Sequence, residues 1–306
     1  MNLKPNLRVE IAGIKMKNPV MTASGTFGSG LEYSNFIDLS KLGAIVTKGV
    51  TLKKQTGNPG PRVYETPCGM LNSIGLQNKG VKNFIAEDLE FLKKFNVPVI
   101  VNVAGNTIEE YVAVVEQLSE KDVVKGIELN VSCPNVKSGG LSFGLNVKSA
   151  IKLTSAVRKT TKLPLIVKLS PNVGNIDEIA KGVEDAGADA VSLINTILGM
   201  AIDPQSFKPQ LANIVGGLSG PAIKPVAVGM VWKISKAINI PIIGMGGIMN
   251  CYDALEFFLA GAKAVAVGTA NFIDPEATIK LIEELEEFLT IKDISDISDI
   301  VGQVKV

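Results

Sequence analysis

Among 306 residues the chain has no histidine, so the side chain that most often moves protons near neutral pH is missing and acid–base chemistry falls to other groups. Cysteine is scarce too. Cys68, Cys133 and Cys251 are odd in number and far apart, which fits reduced thiols better than a disulfide framework. With no histidine and no CxxC pair, the usual ligand sets for zinc and iron–sulfur centres are absent. Charge of one sign is lacking as well. Thirty-one basic against thirty acidic side chains leave a net +1, and no global field draws nucleic acid or an anionic membrane surface. No apolar run approaches the roughly 18 residues of a membrane span, and Met1 to Arg8 lack the apolar centre of a signal peptide. A soluble, cytoplasmic protein is expected.

What is present is 46% hydrophobic and only 20% charged, enough to bury a large core at the size of one α/β barrel or two small domains. Short β-branched runs recur along the chain: Pro19 to Ala23, Ala44 to Lys48, Val99 to Val103, Gly126 to Asn130, Leu165 to Leu169, Ala190 to Ile194, Ile242 to Met245 and Ala264 to Gly268. Segments of helical period separate them, such as Ile108 to Leu118, Lys148 to Thr160 and Ile176 to Ala186. Eight such units predict a TIM (β/α)8 barrel, a single domain over residues 1–306. Arg8 to Ile11 and Ile14 to Met16, with Ala12-Gly13 between, read as a hairpin that plugs the barrel bottom. Val50 to Lys79 and Asn195 to Ile240 break the regular spacing and predict long inserts after strands 2 and 6, where barrels build their sites. An amphipathic helix spans Glu276 to Leu289, before a polar tail.

In a barrel, function is read from what each strand presents at its carboxyl end. The first run ends in Ala23-Ser24-Gly25 and the second in Thr47-Lys48-Gly49. The third carries Asn102, the fourth Asn130, the fifth Lys168, and the sixth leads into Asn195-Thr196. Lys48 and Lys168 stand in otherwise apolar strands, where an ammonium is costly to bury unless it meets an anion or an electron-rich ring; the alternative is a side chain snorkelling out of the mouth. Asparagines offer donors and acceptors together, which suits a flat heterocycle with alternating C=O and N–H groups.

Gly244-Met245-Gly246-Gly247 and Gly268-Thr269-Ala270 follow the last two runs, where these barrels commonly hold a phosphate; Gly216 to Gly220 could add further amides, although tight turns also need glycine. No GxGxxG follows a strand and opens a helix, so a mononucleotide such as FMN fits better than a dinucleotide bound in Rossmann fashion. Lys168 would then stabilise negative charge at the N1 side of the reduced ring. Asn130-Val131-Ser132-Cys133-Pro134-Asn135 puts an amide, a hydroxyl and a thiol where a strand ends. Cys133 is the residue best placed to move a proton, against the alternative of a buried structural cysteine beside a turn.

Ser24, Thr47-Lys48-Gly49, Asn72-Ser73-Ile74-Gly75-Leu76, the Asn130 to Asn135 motif, Lys168, Asn195-Thr196, Gly246-Gly247 and Gly268-Thr269 together resemble the dihydroorotate dehydrogenase family, from about residue 5 to about residue 290. Cysteine in the Ser-Cys-Pro-Asn motif is similar to class 1 members, and Val136 to Gly140 with Phe143-Gly144 to the catalytic subunit of the NAD-linked class 1B. Ser138 and Leu145 depart from residues common at those places. The resemblance implies oxidation of (S)-dihydroorotate to orotate, with Cys133 as base and Lys168 beside it in catalysis. It implies substrate contacts at Lys48, Asn72, Ser73, Ile74, Gly75, Leu76, Asn130, Asn195 and Thr196. FMN, one per chain, would meet Ser24, Lys48, Gly49, Asn102, Asn130, Lys168, Ile194, Gly220, Gly246, Gly247, Gly268 and Thr269. Residues 134–144 would form a lid hinged by Pro134 and Gly139-Gly140. The resemblance also implies an electron-transfer subunit carrying FAD and a 2Fe–2S cluster, around a homodimer of this chain in a heterotetramer. Competing readings are the fumarate-linked class 1A, a dihydropyrimidine dehydrogenase-like flavoenzyme, a dihydrouridine synthase, for which a basic stripe is missing, a Schiff-base aldolase using Lys48 or Lys168, and a non-catalytic scaffold.

Overall fold

The computed structural model describes residues 4–131 and 143–305. The chain opens with strands β1 (Val9–Ile11) and β2 (Ile14–Met16), an antiparallel hairpin turned by Ala12-Gly13. There follow β3 (Val20–Thr22), β4 (Ile45–Val46), the excursion strands β5 (Val63–Thr66) and β6 (Gly69–Asn72), β7 (Val99–Val103), β8 (Val124–Asn130), β9 (Leu165–Lys168) and β10 (Ala190–Leu193). The second insert holds β11 (Ile197–Met200), β12 (Ile202–Asp203), β13 (Lys208–Pro209) and β14 (Val215–Ser219), and β15 (Ile242–Met245) and β16 (Ala264–Val267) end the series.

Eight of these form one parallel sheet in the order β3-β16-β15-β10-β9-β8-β7-β4. Its two ends meet through a parallel bridge between Met21 and Ala44. This seam is stitched by the Thr22 hydroxyl, which accepts from Val46 N at 3.0 Å and donates to Val46 O at 3.3 Å. The expected eight-stranded barrel is therefore present, with strand limits shifted by a residue or two at the ends. Helices cover the outside where periodicity predicts them, at Ile108–Ser119, Val147–Arg158 and Ile176–Asp185. Side-chain caps fix where two of them start: Thr107 accepts from Glu110 N and Asn146 from Lys148 N. The carboxyl-terminal helix runs over Ala277–Ile291, starting one residue and ending two residues later than expected. Among the described residues no helix is long and apolar enough to cross a membrane.

Because side chains alternate across a strand, every second residue enters the barrel. At the amino-terminal end these are apolar: Met21, Ala44, Ile100, Ile166, Ala190, Ile243 and Ala264 pack as one cluster with Ile11, Ile14 and Met16 of the hairpin. The hairpin closes the bottom as its sequence suggests. One step further along the strands the inward positions become polar, with Asn102, Glu128, Lys168 and Ser192 all buried. The barrel is thus oily below and polar above.

The inserts build a second layer over the mouth. Strands β11, β14, β6 and β5 form a four-stranded antiparallel sheet, in which β14 from the second insert pairs with β6 from the first. Gly216, Gly217 and Leu218 lie in a strand with a partner on each side, so their main-chain groups serve the sheet ladder. Of the stretch Gly216 to Gly220 expected to offer free amides, only Gly220 lies beyond the strand. The polar tail also gains a role. Asn6 and Ile297 pair across the chain ends, with Ile297 N donating to Asn6 O at 3.0 Å.

Candidate functional site

A cavity of about 580 Å³ opens at the carboxyl ends of the barrel strands, roofed by the insert sheet. Every residue proposed from sequence for substrate or flavin, from Ser24 to Thr269, lines it. The strand ends bring Ser24, Lys48, Gly49, Asn102, Asn130, Lys168, Ile194, Asn195 and Thr196 together, while Asn72 to Leu76 descend from the first insert. The exception is Cys133, which lies outside the described residues together with the rest of 132–142. Its surroundings are described: Asn130 lines the cavity, and Val131 O accepts from Gly144 N at 2.8 Å.

Lys168 projects from β9 into the barrel and is 5% exposed. Its Nζ donates to Ser24 Oγ at 3.0 Å. Burial holds its pKa below the ordinary lysine value, and the negative charge of Glu128 opposes that shift. Lys48 is less enclosed. Its pKa is also lowered, first by burial and then by the Arg62 guanidinium, with Glu32 pulling the other way. Lys48 and Arg62 line the same cavity, so this side carries two positive groups whose mutual repulsion an anionic ligand would relieve.

The asparagines are held in defined orientations. Asn102 Nδ2 donates to Glu128 Oε2 at 2.6 Å, and Glu128 Oε1 accepts from Ser192 Oγ at 2.7 Å. The main chain at Asn130 is anchored by its carbonyl, which accepts from Tyr111 OH at 2.7 Å. Asn195 Oδ1 accepts from Thr196 N at 2.8 Å, and Thr196 O from Asn172 Nδ2 at 3.0 Å. Asn72 Nδ2 donates to Gly217 O at 3.3 Å, across the two inserts. Among the described residues, the buried Oδ1 of Asn102 and Oγ of Ser73 have no hydrogen-bond partner. Buried polar atoms are rarely left so, and both residues line the cavity.

On the other flank three glycine loops converge. Gly247 has φ +76°, and a Cβ there would come within 2.8 Å of both Gly220 O and Lys224 Cβ, so only glycine fits this approach. Thr269 Oγ1 donates to Ser219 Oγ at 2.8 Å, tying the loop after β16 to the end of β14. Gly220, Gly246, Gly247, Gly268 and Thr269 thus share one wall, a shape suited to a phosphate approached by bare backbone.

Sequence reasoning missed Glu128, Arg62 and Asn172. Glu128 was legible in principle, since it lies two residues before Asn130 on one strand and must share its face. Arg62 sits in an irregular Pro- and Gly-rich stretch, where nothing in the pattern points it at the site.

A closed parallel barrel with a polar cavity at its strand ends and a glycine-lined flank has the architecture of a barrel enzyme. The family model described as dihydroorotate dehydrogenase matches residues 6–289, and the chain belongs to that family. Its relatives include "Dihydroorotate dehydrogenase B (NAD(+)), catalytic subunit" of Thermoanaerobacter sp., 58% identical over 301 residues that cover 98% of this chain and 99% of the relative. Proteins of the same name from Geotalea uraniireducens, 57% identical over 299 residues (98% of each chain), and Alkaliphilus oremlandii, 56% identical over 299 residues (98% of this chain and 99% of that one), are similarly close.

Proposed function

We propose that this chain, as one barrel domain, oxidises (S)-dihydroorotate to orotate in pyrimidine synthesis as the catalytic subunit of an NAD-linked enzyme. The names of its relatives favour this form over the fumarate-linked and dihydropyrimidine dehydrogenase-like alternatives. The observation that carries the reading is the convergence of Lys48, Asn130, Lys168 and Asn195 from four barrel strands with Asn72 to Leu76 on one cavity.

FMN fits that cavity on three counts. The partnerless Asn102 Oδ1 suits a ring N–H, the glycine wall suits a phosphate, and Lys168 offers an ammonium to an electron-rich ring. When bound, FMN supplies the acceptor for the hydride that leaves C6 of the substrate. Lys168, pinned by Ser24, is the residue for the N1 side of that ring. Lys48, with Arg62 behind it, attracts the substrate carboxylate, and Ser73 Oγ and the backbone of 74–76 offer further polar contacts. Asn130, Asn195 and Thr196 read the ureide edge. Asn195 Oδ1 already accepts from its own neighbour, so its Nδ2 protons suit a ring carbonyl. Cys133, three residues past Asn130, takes the C5 proton. An unperturbed thiol pKa of about 8.5 is within reach of neutral pH in an electropositive pocket. Atoms balance: substrate loses one proton and one hydride, and a C5=C6 double bond forms.

FAD and a 2Fe–2S cluster belong to the partner subunit, around a homodimer of this chain in a cytoplasmic heterotetramer. The test is spectroscopic. The purified chain should be yellow and bleach when dihydroorotate is added without air, and Cys133→Ala should keep its flavin while bleaching slows by about 10² or more. A colourless chain sinks the flavin reading, and near-normal reduction in the variant removes Cys133 from the base role.

A further inference from the structure

Glu128 is a carboxylate at the heart of the barrel, 1% exposed, and the proposed reaction does not use it. Its two oxygens are both engaged by donors at charge-assisted distance, Asn102 Nδ2 at 2.6 Å and Ser192 Oγ at 2.7 Å. Both carboxylate oxygens act as acceptors here. Glu128 therefore dictates which end of the Asn102 amide faces it: Nδ2 turns to Glu128, and Oδ1 is left as a buried atom with no partner among the described residues. The space around Oδ1 is kept open by Gly49, where a Cβ would come within 3.0 Å of it. Without Glu128 the amide could turn over and offer donors instead.

We propose that Glu128 is a positioning residue that locks Asn102 with its oxygen toward the cavity, so that this wall of the site selects a ligand edge bearing an N–H. The proposal rests on the flavin reading of the cavity, and the ring edge it selects is an imide or ureide N–H rather than a bare ring nitrogen.

Apoprotein titrated with FMN, followed by quenching of flavin fluorescence, tests it. Glu128→Gln can still accept from Asn102 on its oxygen while the Ser192 hydroxyl turns to accept from its amide, so affinity stays within about threefold of wild type. Asn102→Asp opposes two acceptors and weakens FMN by about tenfold or more. In the double variant Asn102→Asp with Glu128→Gln, the glutamine amide donates to the new carboxylate, which again shows an oxygen to the cavity, and most of the affinity returns. Loss of affinity in Glu128→Gln alone would make Glu128 a countercharge for Lys168 and overturn the assignment, as would a double variant no better than Asn102→Asp. Should Asn102→Asp not fold, the cycle of Asn102→Ala and Glu128→Met decides: the cost of Asn102→Ala falls below about threefold in the methionine background, whereas additive costs refute positioning. A wild-type chain that binds no flavin removes the proposed function and this assignment together, while normal flavin binding with failed rescue removes this assignment alone.

Discussion

At the scale of single residues, the site depends on lysines that are costly to bury. Lys48 titrates below its ordinary value because it is part-buried and faces Arg62. A bound carboxylate favours its ammonium form, so the pKa is higher in the complex than in the free protein. Anion binding then takes up a proton between those two values, and affinity falls as pH rises through the depressed value of the free lysine. Orotate binding is therefore expected to be flat below the depressed value of Lys48 and to weaken by up to about tenfold per pH unit above it. Titrations followed by the flavin spectrum in the Cys133→Ala background, where that thiol no longer ionises, measure this. Lys48→Met should bind orotate about 10- to 100-fold more weakly and lose the slope. A slope that survives in Lys48→Met would assign the proton to another group.

At the scale of elements, the barrel divides its labour along the strand axis, and the two halves are separable. Ile14 of the hairpin is buried in the apolar lower cluster with Ile11, Met16 and the inward residues of the strands. Truncating it leaves a hole in a packed core, so Ile14→Ala should cost about 2–5 kcal/mol in denaturant unfolding while flavin reduction by dihydroorotate stays near wild type. An equal loss of stability and turnover would mean that the plug also shapes the mouth. The same axis explains what was legible in the sequence. Strands and their polar ends announce themselves locally, through β-branched runs and a change to Ser, Asn or Lys, and so the barrel and the polar strand-end residues of the cavity could be placed. Glu128 was hidden because Ile127 and Leu129, which face the outer layer, make the stretch read as uniformly apolar. The roof was hidden for another reason. Its short half-exposed strands gain their partners from far away, as Asn72 and Gly217 do across 145 residues, and no local period encodes such a pairing. The tail was unreadable alone because its partner is Asn6 at the opposite end of the chain.

At the scale of the whole molecule, the open step is how two electrons leave. The residues proposed for substrate and for flavin line one cavity, and the sequence holds no Rossmann fingerprint through which NAD could reach them. On the proposed reading a flavin held beneath the insert sheet would be reoxidised across a surface, and the relatives' shared name, a catalytic subunit of an NAD(+) enzyme, fits a division of the two half-reactions between chains. The purified chain is therefore expected to bleach with dihydroorotate yet form no NADH at a catalytic rate when NAD is added. NADH formation should begin when an electron-transfer subunit bearing FAD and a 2Fe–2S cluster is supplied, with the rate saturating as that subunit approaches stoichiometry. Anaerobic absorbance traces with and without the second subunit separate these outcomes. NAD reduction by the isolated chain at the rate of flavin bleaching would show that no partner is needed, and rapid reoxidation by fumarate in its place would move the chain to the fumarate-linked form of the family.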